Sequence, residues 1–340
     1  MSLSVGYSTA SAAQILAEDG VLALISPSAA SEPGADPRHF GCGLIGLGDS
    51  ATHEVWYAQG PIECGVDGEI RWSQSEEMLF AGLWVEEGAF DSQHDAVHVA
   101  YKRLLQHIQN RGFPVIVRAW NYMPAINEGE GDNERYRRFC SGRQAAFTEC
   151  DQERFGYPSA CALGSSGGKT VIYLLASREA ALHIENPRQK SAYDYPREYG
   201  PASPSFARAS LANWHSGSAL YISGTASIVG HESLHPEDLE QQLLTTFDNV
   251  DILLEATAMQ AGFSGTPAMS LIKVYVRRPA DYADVVYQVE KRFPGVPALY
   301  VQAEVCRREL LVEIDGVCEI PASIASDATP VQAARKVASD

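Results

Sequence analysis

Apolar and polar positions along this chain follow two rhythms, and the order of those rhythms occurs twice. In the first passage, Glu69-Ile70-Arg71-Trp72 precedes the apolar run Met78 to Val85, which reads as a strand. From about Asp95 to Asn110, Val97, Tyr101, Leu104, Leu105 and Ile108 recur at three- and four-residue spacing, which places them on one face of a helix. Gly112 supplies the stop for that helix, and Pro114 introduces the strand Val115 to Trp120.

The second passage begins with Ala219-Leu220-Tyr221-Ile222, a strand that ends at Ser223-Gly224. A helix is expected from about Pro236 to Ala261, with Leu239, Leu243, Phe247, Val250, Leu253 and Leu254 on its apolar face and Gly262 as its cap. The strand Leu271 to Val276 follows, then a helix over Ala280 to Phe293. Pro294 and Pro297 lead into two further strands, Leu299 to Val305 and Leu310 to Ile314. This order predicts an α+β fold with helices on one face of a sheet. The first passage reads as a degenerate copy of the second, so the pattern points to an internal duplication.

Two polar stretches interrupt the pattern. Asn127 to Arg143, rich in Gly, Glu, Asp and Arg, reads as a loop or a short exposed helix. Glu185 to Arg208 is dense in proline (Pro187, Pro196, Pro201, Pro204) and carries several tyrosines and arginines. Structureless segments of that length are uncommon in compact domains and tend to be functional.

Composition narrows the class. A chain of 340 residues suits two domains, and 45% hydrophobic with 20% charged residues is a globular balance. It contains no apolar run of the roughly 18 residues a membrane span needs, and Met1 to Gly20 lacks a basic patch followed by an apolar stretch. A cytoplasmic protein is expected. The net charge of −17 opposes binding to nucleic acid or anionic membranes, and an anionic ligand would need a local cluster of arginines. Seven scattered cysteines without C-x-x-C spacing read as reduced thiols rather than a metal site.

Several motifs imitate known sites and fail on context. Gly41-Cys42-Gly43-Leu44-Ile45-Gly46 matches a dinucleotide fingerprint, but Pro37-Arg38-His39 stands where a strand is needed and Gly48-Asp49-Ser50 interrupts any following helix. A glycine-rich strand or turn is the reading. Gly164 to Thr170 resembles a phosphate loop, but Leu163 occupies the position of its first glycine and Val171 to Leu175 is strand-like, so a hairpin turn is expected. His183-Ile184-Glu185 lacks the cysteine partner of a zinc deaminase, and no histidine cluster marks a metal. Neither a metal nor another cofactor is implied.

The motifs that remain carry a resemblance. Gly200-Pro201, Ser205-Phe206-Ala207-Arg208-Ala209, Leu220 to Gly224, Gln242, Asn249, Ile272 to Val276, Phe293-Pro294 and Leu311-Val312-Glu313-Ile314-Asp315-Gly316 resemble the RidA/YjgF family. The resemblance implies Glu313 as the acidic pocket residue and Ser223 as a ligand contact. It also departs: Leu299 stands near the arginine that binds substrate carboxylate in the small deaminases of that family, and Phe206 replaces the tyrosine of their G-P-Y motif. Imine deamination is therefore not the expected chemistry.

Longer matches resemble one branch, the chorismatases: Arg118-Ala119-Trp120-Asn121-Tyr122, Glu134-Arg135-Tyr136, His183 to Gln189, Tyr195-Pro196-Arg197, Gly200 to Arg208 and Ser223 to Glu232. The resemblance spans about residues 70–317. It implies two RidA/YjgF-like, chorismate mutase-like α/β sandwich domains. The expected division is 1–143 for a degenerate amino-terminal domain and 144–340 for a carboxy-terminal domain carrying the active site. The implied activity is cofactor-free cleavage of chorismate to pyruvate and a hydroxybenzoate. Small RidA proteins are trimers, and because an internal duplication could replace some of those contacts, a monomer is expected.

The residue types suit that substrate. Chorismate has two carboxylates, for which bidentate arginines are natural partners. Arg143, Arg188, Arg197 and Arg208 surround the proline-dense loop, and Tyr193, Tyr195 and Tyr199 add hydroxyls. Glu313 lies between Val312 and Ile314. If strand alternation turns it inward with Leu311 and the apolar set, desolvation raises its pKa and leaves a proton for general-acid protonation of the enolpyruvyl methylene. The resemblance further implies that Cys306 and the residue at Ala219 separate product classes. A cysteine at the first resembles the type forming 3-hydroxybenzoate, whereas alanine at the second resembles the hydrolytic type forming a dihydrodiol. The mixed pair leaves open a branch giving both 3- and 4-hydroxybenzoate for pigment biosynthesis. An enamine or imine hydrolase, or a non-catalytic binding protein, would share the fold.

Overall fold

The computed structural model describes residues 4–27, 35–48, 51–215 and 217–325. Asp49 and Ser50, expected to interrupt a helix, lie outside them. Two sets of seven elements build most of the molecule. The first comprises β1 (Ile70–Gln74), β2 (Met78–Val85), α1 (Gln93–Asn110), β3 (Val115–Pro124), α2 (Arg135–Glu149), β4 (Ser159–Ser165) and β5 (Thr170–Ser177). The second comprises β6 (Ala209–Trp214), β7 (Gly217–Thr225), α3 (Leu239–Ala261), β8 (Leu271–Val276), α4 (Tyr282–Arg292), β9 (Ala298–Gln302) and β10 (Val312–Ile320).

The sheets repeat one another strand for strand. The first contains the order β1-β2-β5-β3-β4 and the second β6-β7-β10-β8-β9, with β3/β4 and β8/β9 the parallel pairs. The duplication expected from the hydrophobic pattern is therefore present in the topology. Strands β4 and β5 both flank β3, so the glycine-rich connection 164–170 is not a hairpin turn. The helix between β3 and β4 sends the chain to the far side of β3, and the return must cross it. Because β4 and β5 belong to the first sheet, we place the division between the halves after Ser177 rather than at residue 143.

Capping and amphipathicity explain the long helices. The Ser92 hydroxyl accepts from the Asp95 backbone N–H at the start of α1, and Gly112 follows the helix with φ 78°. Asp238 caps α3 in the same way, and Gly262 ends it at φ 69°. The segment 127–143, read as loop or exposed helix, instead contributes to the 15-residue helix α2, which buries Phe139, Cys140, Arg143, Ala146 and Phe147. Its charged outer residues obscure a narrow apolar stripe. Gly142 lets α2 approach α1 closely, since a Cβ there would stand 2.5 Å from the His94 carbonyl oxygen.

Helices cover the outer faces of both sheets, and the inner faces meet in a central layer that includes Trp120, Tyr122, Tyr173, Tyr221 and Tyr275. An amino-terminal sheet of Ser4–Ser8, Val21–Ser26, His39–Gly41 and His53–Tyr57 adds Leu22, Phe40 and Trp56 to that layer. Two short segments stitch the halves together. Ile45–Gly46 extends the second sheet beside β9, and Glu304–Val305 pairs with β4 of the first. The single strand expected over Leu299 to Val305 thus divides at Ala303 and crosses between sheets, leaving Cys306 at their junction.

Charged groups are buried in the same layer. Arg118 of β3 pairs with Asp315 of β10 at 2.7 Å, with side chains 2% and 6% exposed. Lys273 of β8 pairs with Glu54 of the amino-terminal sheet, whose carboxylate also accepts from Trp56 Nε1 at 2.7 Å. Removing one member of such a pair strands the other in a dry interior. Lys273→Met is expected to cost about 3–5 kcal/mol in denaturant unfolding, and adding Glu54→Leu to recover most of it. Equal loss in the single and double variants would contradict this.

Candidate active site

Strand alternation directs Val312 and Ile314 of β10 toward the helices and turns Glu313, Asp315 and Val317 to the central layer. Glu313 is buried as expected, but it faces away from its apolar neighbours and into the space between the sheets. It is 4% exposed and lies at the floor of a cavity. A bulge interrupts the β7/β10 register between Ile222 and Thr225, and Gly224 sits there against the acid. A Cβ at Gly224 would lie 1.8 Å from Glu313 Oε1, so only glycine leaves room for the carboxyl group. Burial raises the Glu313 pKa to about 8; the Asp315 charge adds to that, while Arg118 and Arg208 oppose it. The carboxyl is therefore protonated at neutral pH.

Three guanidinium groups line the cavity. Arg208, 5% exposed, donates through Nη2 to the Lys190 carbonyl and the Tyr195 hydroxyl, both at 2.8 Å, while its buried Nε has no hydrogen-bond partner. Arg307 lies over the Tyr199 ring at 4.2 Å and is tethered by the His231 carbonyl at 2.8 Å. Arg137 pairs with Glu134 at 3.3 Å. Tyr136, Phe206 and Ile228 supply apolar wall. Such a site, with aromatic sides and fixed cations at its rim, suits a compact anionic ring compound. Cys306 also lines it, and burial with the Glu313 charge pushes its thiol well above the ordinary range, so it is a thiol rather than a thiolate.

The cavity therefore brings together Glu313, Cys306, Arg208, Tyr195 and Tyr199 from the sequence-derived set. Others lie elsewhere. Arg188 pairs with Asp248 at 3.1 Å, Arg197 pairs with the exposed Asp132 at 2.6 Å, and neither lines the cavity. Tyr193 stacks on Tyr157 with ring centroids 5.0 Å apart. Ser223 is wholly buried, donating to the Ala207 carbonyl at 2.6 Å and accepting from the Ala160 N–H at 2.8 Å. Ala219 sits in the central layer opposite Ala212 and Glu319, away from the cavity. Arg143 is 2% exposed within α2, its guanidinium 5.2 Å from the Phe139 ring centroid. Its Nε has no hydrogen-bond partner, and it pairs with no carboxylate among the described residues.

Arg137, Arg307 and Gly224 were not singled out from the sequence. Arg307 adjoins Cys306, and Arg137 lies one residue beyond the Glu134-Arg135-Tyr136 match, so proximity to the quoted motifs was the available signal. Among the described residues no group of three or more His, Cys, Asp or Glu side chains could hold a metal ion, and no helix is long and apolar enough to cross a membrane.

Known proteins resemble this chain over most of its length. A family model described as chorismatase FkbO/Hyg5-like, N-terminal, matches residues 54–176. The chain is 38% identical over 277 residues to a 3-hydroxybenzoate synthase of Streptomyces hygroscopicus, covering 78% of this chain and 80% of that protein. It is 32% identical over 282 residues to a chorismatase of Streptomyces rapamycinicus, covering 79% and 83%. A chorismatase crystal structure superposes with a TM-score of 0.84 at 30% identity, covering 94% of this chain and 99% of that one.

Two outcomes follow from the packing of Glu313. Gly224→Ala should displace the carboxyl and lower turnover about 100-fold, the scale of an ångström-sized misplacement, while circular dichroism stays native. Turnover within a few-fold of the native protein would contradict the assigned contact. Because the folded-state pKa of about 8 exceeds the ordinary 4.5, Glu313 favours folding most at low pH. That contribution is lost as pH rises from 4.5 through about 8. The native protein should therefore lose thermal stability relative to Glu313→Gln across that range, and a pH-independent gap between the two would refute the shift.

Proposed function

The chain belongs to the chorismatase family, and on that premise we propose that it cleaves chorismate to pyruvate and a hydroxybenzoate, with Glu313 as the general acid. The observation carrying this reading is a protonated carboxyl at the floor of a cavity edged by three guanidinium groups. The arginines answer the problem set by the net charge of −17: they concentrate positive potential where a dianion must enter. Arg208 offers its unpartnered Nε to one substrate carboxylate, and Arg137 and Arg307 lie on hand for the other. Arg143, buried without a carboxylate partner among the described residues, acts electrostatically on Tyr136, which lines the cavity.

In the proposed reaction Glu313 delivers its proton to the methylene carbon of the enolpyruvyl group. The alkene electron pair forms the new C–H bond, and the positive charge spreads over the ether oxygen and its carbon. Breaking the ring C–O bond sends its electron pair to that oxygen, giving the keto group of pyruvate. The neighbouring ring hydroxyl oxygen then closes on the carbon that lost pyruvate and gives up its proton, forming an arene oxide. Protonation and opening of its other C–O bond leave the oxygen at the 3-position. Loss of the C–H proton there makes the ring aromatic, and the Glu313 carboxylate takes a proton back. Loss of a C–H proton without this shift gives 4-hydroxybenzoate. Chorismate and the sum of pyruvate and hydroxybenzoate contain the same atoms, so no water is consumed. Capture of the ring by water instead would give the dihydrodiol of a hydrolytic enzyme.

Cys306 borders the cavity beside Glu313 and is the residue we assign to product choice. 3-Hydroxybenzoate is the expected main product. The proposed working unit is a cytoplasmic monomer, since the duplicated halves cover each other's inner sheet faces.

The test is to incubate the purified protein with chorismate, measure pyruvate and identify the aromatic product by chromatography. Pyruvate with 3-hydroxybenzoate is expected. Activity on 2-aminoacrylate without release of pyruvate from chorismate would replace this reading with an imine hydrolase. Glu313→Gln should abolish pyruvate release while calorimetry still detects chorismate binding, and full activity in that variant would remove Glu313 from the chemistry. For the native protein kcat/KM should be level below and fall above a pH of about 8, as the acid ionises.

A further inference from the structure

The central layer holds a second carboxyl group that the proposed chemistry does not use. Asp315 follows Glu313 by two residues on β10, so both side chains leave the strand on one face, and each is 4% exposed. Two buried carboxyls so placed oppose joint ionisation, and the pair tends to keep a proton. Which member keeps it depends on which anion the surroundings solvate.

The surroundings are unequal. Asp315 Oδ2 accepts from Arg118 Nη2 at 2.7 Å and from the Tyr275 hydroxyl at 2.9 Å, and Tyr275 is itself held by Tyr122 at 2.9 Å. No hydrogen bond reaches the Glu313 carboxyl among the described residues. The other groups facing the pair do not reverse this preference. Lys273 stands opposite Asp315 in the β8/β10 register but is committed to Glu54. Cys161 of β4 is a buried thiol, its pKa raised to about 12, and Cys306 is likewise protonated. Arg208 and Arg307 approach from the cavity side, where substrate carboxylates would engage them.

We propose that Arg118, Tyr275 and Asp315 form a positioning cluster that keeps the pair's proton on Glu313. Arg118 reaches from the first sheet and Tyr275 from the second, so the acid is set by the contact between the halves rather than by either half alone. The cluster also acts after proton transfer. Once Glu313 has given its proton to the substrate carbon, two carboxylates stand side by side, and their repulsion favours recapture of the proton that the ring loses on aromatising. Asp315 touches neither substrate nor reacting atoms in this scheme.

The inference rests on Glu313 being the acid, and the experiment separates the two. The Glu313 side-chain carboxyl would be titrated by carbon-13 NMR in the unliganded protein, alongside kcat/KM against pH, for the native chain, Asp315→Asn and Tyr275→Phe. Removing the neighbouring charge in Asp315→Asn should lower the Glu313 midpoint by about one pH unit or more. The alkaline limb of kcat/KM should move with it. Tyr275→Phe, which removes one donor and preserves the ring, should give a smaller shift in the same direction. An unchanged midpoint in folded Asp315→Asn, or activity lost equally at every pH with the midpoint fixed, would overturn the proposal. If Asp315→Asn fails to fold, an unchanged midpoint in Tyr275→Phe overturns it instead. A midpoint that moves in a protein releasing no pyruvate would leave the cluster standing and refute the assigned reaction.

Discussion

Burying ionisable groups between two sheets is the constraint from which the site follows. An isolated charge in that layer would be too costly, so each charged group there either finds a partner or gives up its charge. Arg118 and Asp315 meet across the sheets, and Lys273 meets Glu54 of the amino-terminal sheet. Glu313 takes the other course and stays neutral. Its neutrality is what the proposed chemistry uses, because a vinyl ether needs an acid and the ordinary glutamate has lost its proton at neutral pH.

The duplication explains why one half carries the chemistry. The strand equivalent to β10 in the first half is β5, Thr170–Ser177, which contains no acidic residue and is buried throughout. The first half instead supplies support: Arg118 from β3, Cys161 from β4, and Arg137 with Tyr136 from α2. The crossing segment Glu304–Val305, paired with β4, delivers Cys306 and Arg307 to the junction. Each half is incomplete as a site.

Much of this was legible in the sequence, and the gaps have physical causes. Helical periodicity at Val97 to Ile108 and Leu243 to Leu254 located α1 and α3 because whole apolar faces are buried there. The helix α2 was misread because few of its residues touch the core and arginines dominate its surface. Periodicity is local, so it could not tell that β4 and β5 flank β3 or that the chain changes sheets after Gln302. Glu313 was identifiable from its apolar neighbours and its motif, although it turned away from those neighbours. The arginines were harder. Guanidinium groups look alike in sequence, and only contacts distinguish Arg197, spent on Asp132 in solvent, from Arg208, held by Tyr195 with a free Nε.

The central claim is that a carboxylic acid transfers hydrogen to carbon in the step that releases pyruvate. Single-turnover cleavage of chorismate, followed in light and heavy water on the level part of the pH profile, examines that transfer directly. The account predicts slower pyruvate formation in heavy water, because the transferred proton of Glu313 has exchanged with solvent. Equal rates in the two solvents would mean that the bond to carbon is not formed in that step, and would contradict the role given to Glu313.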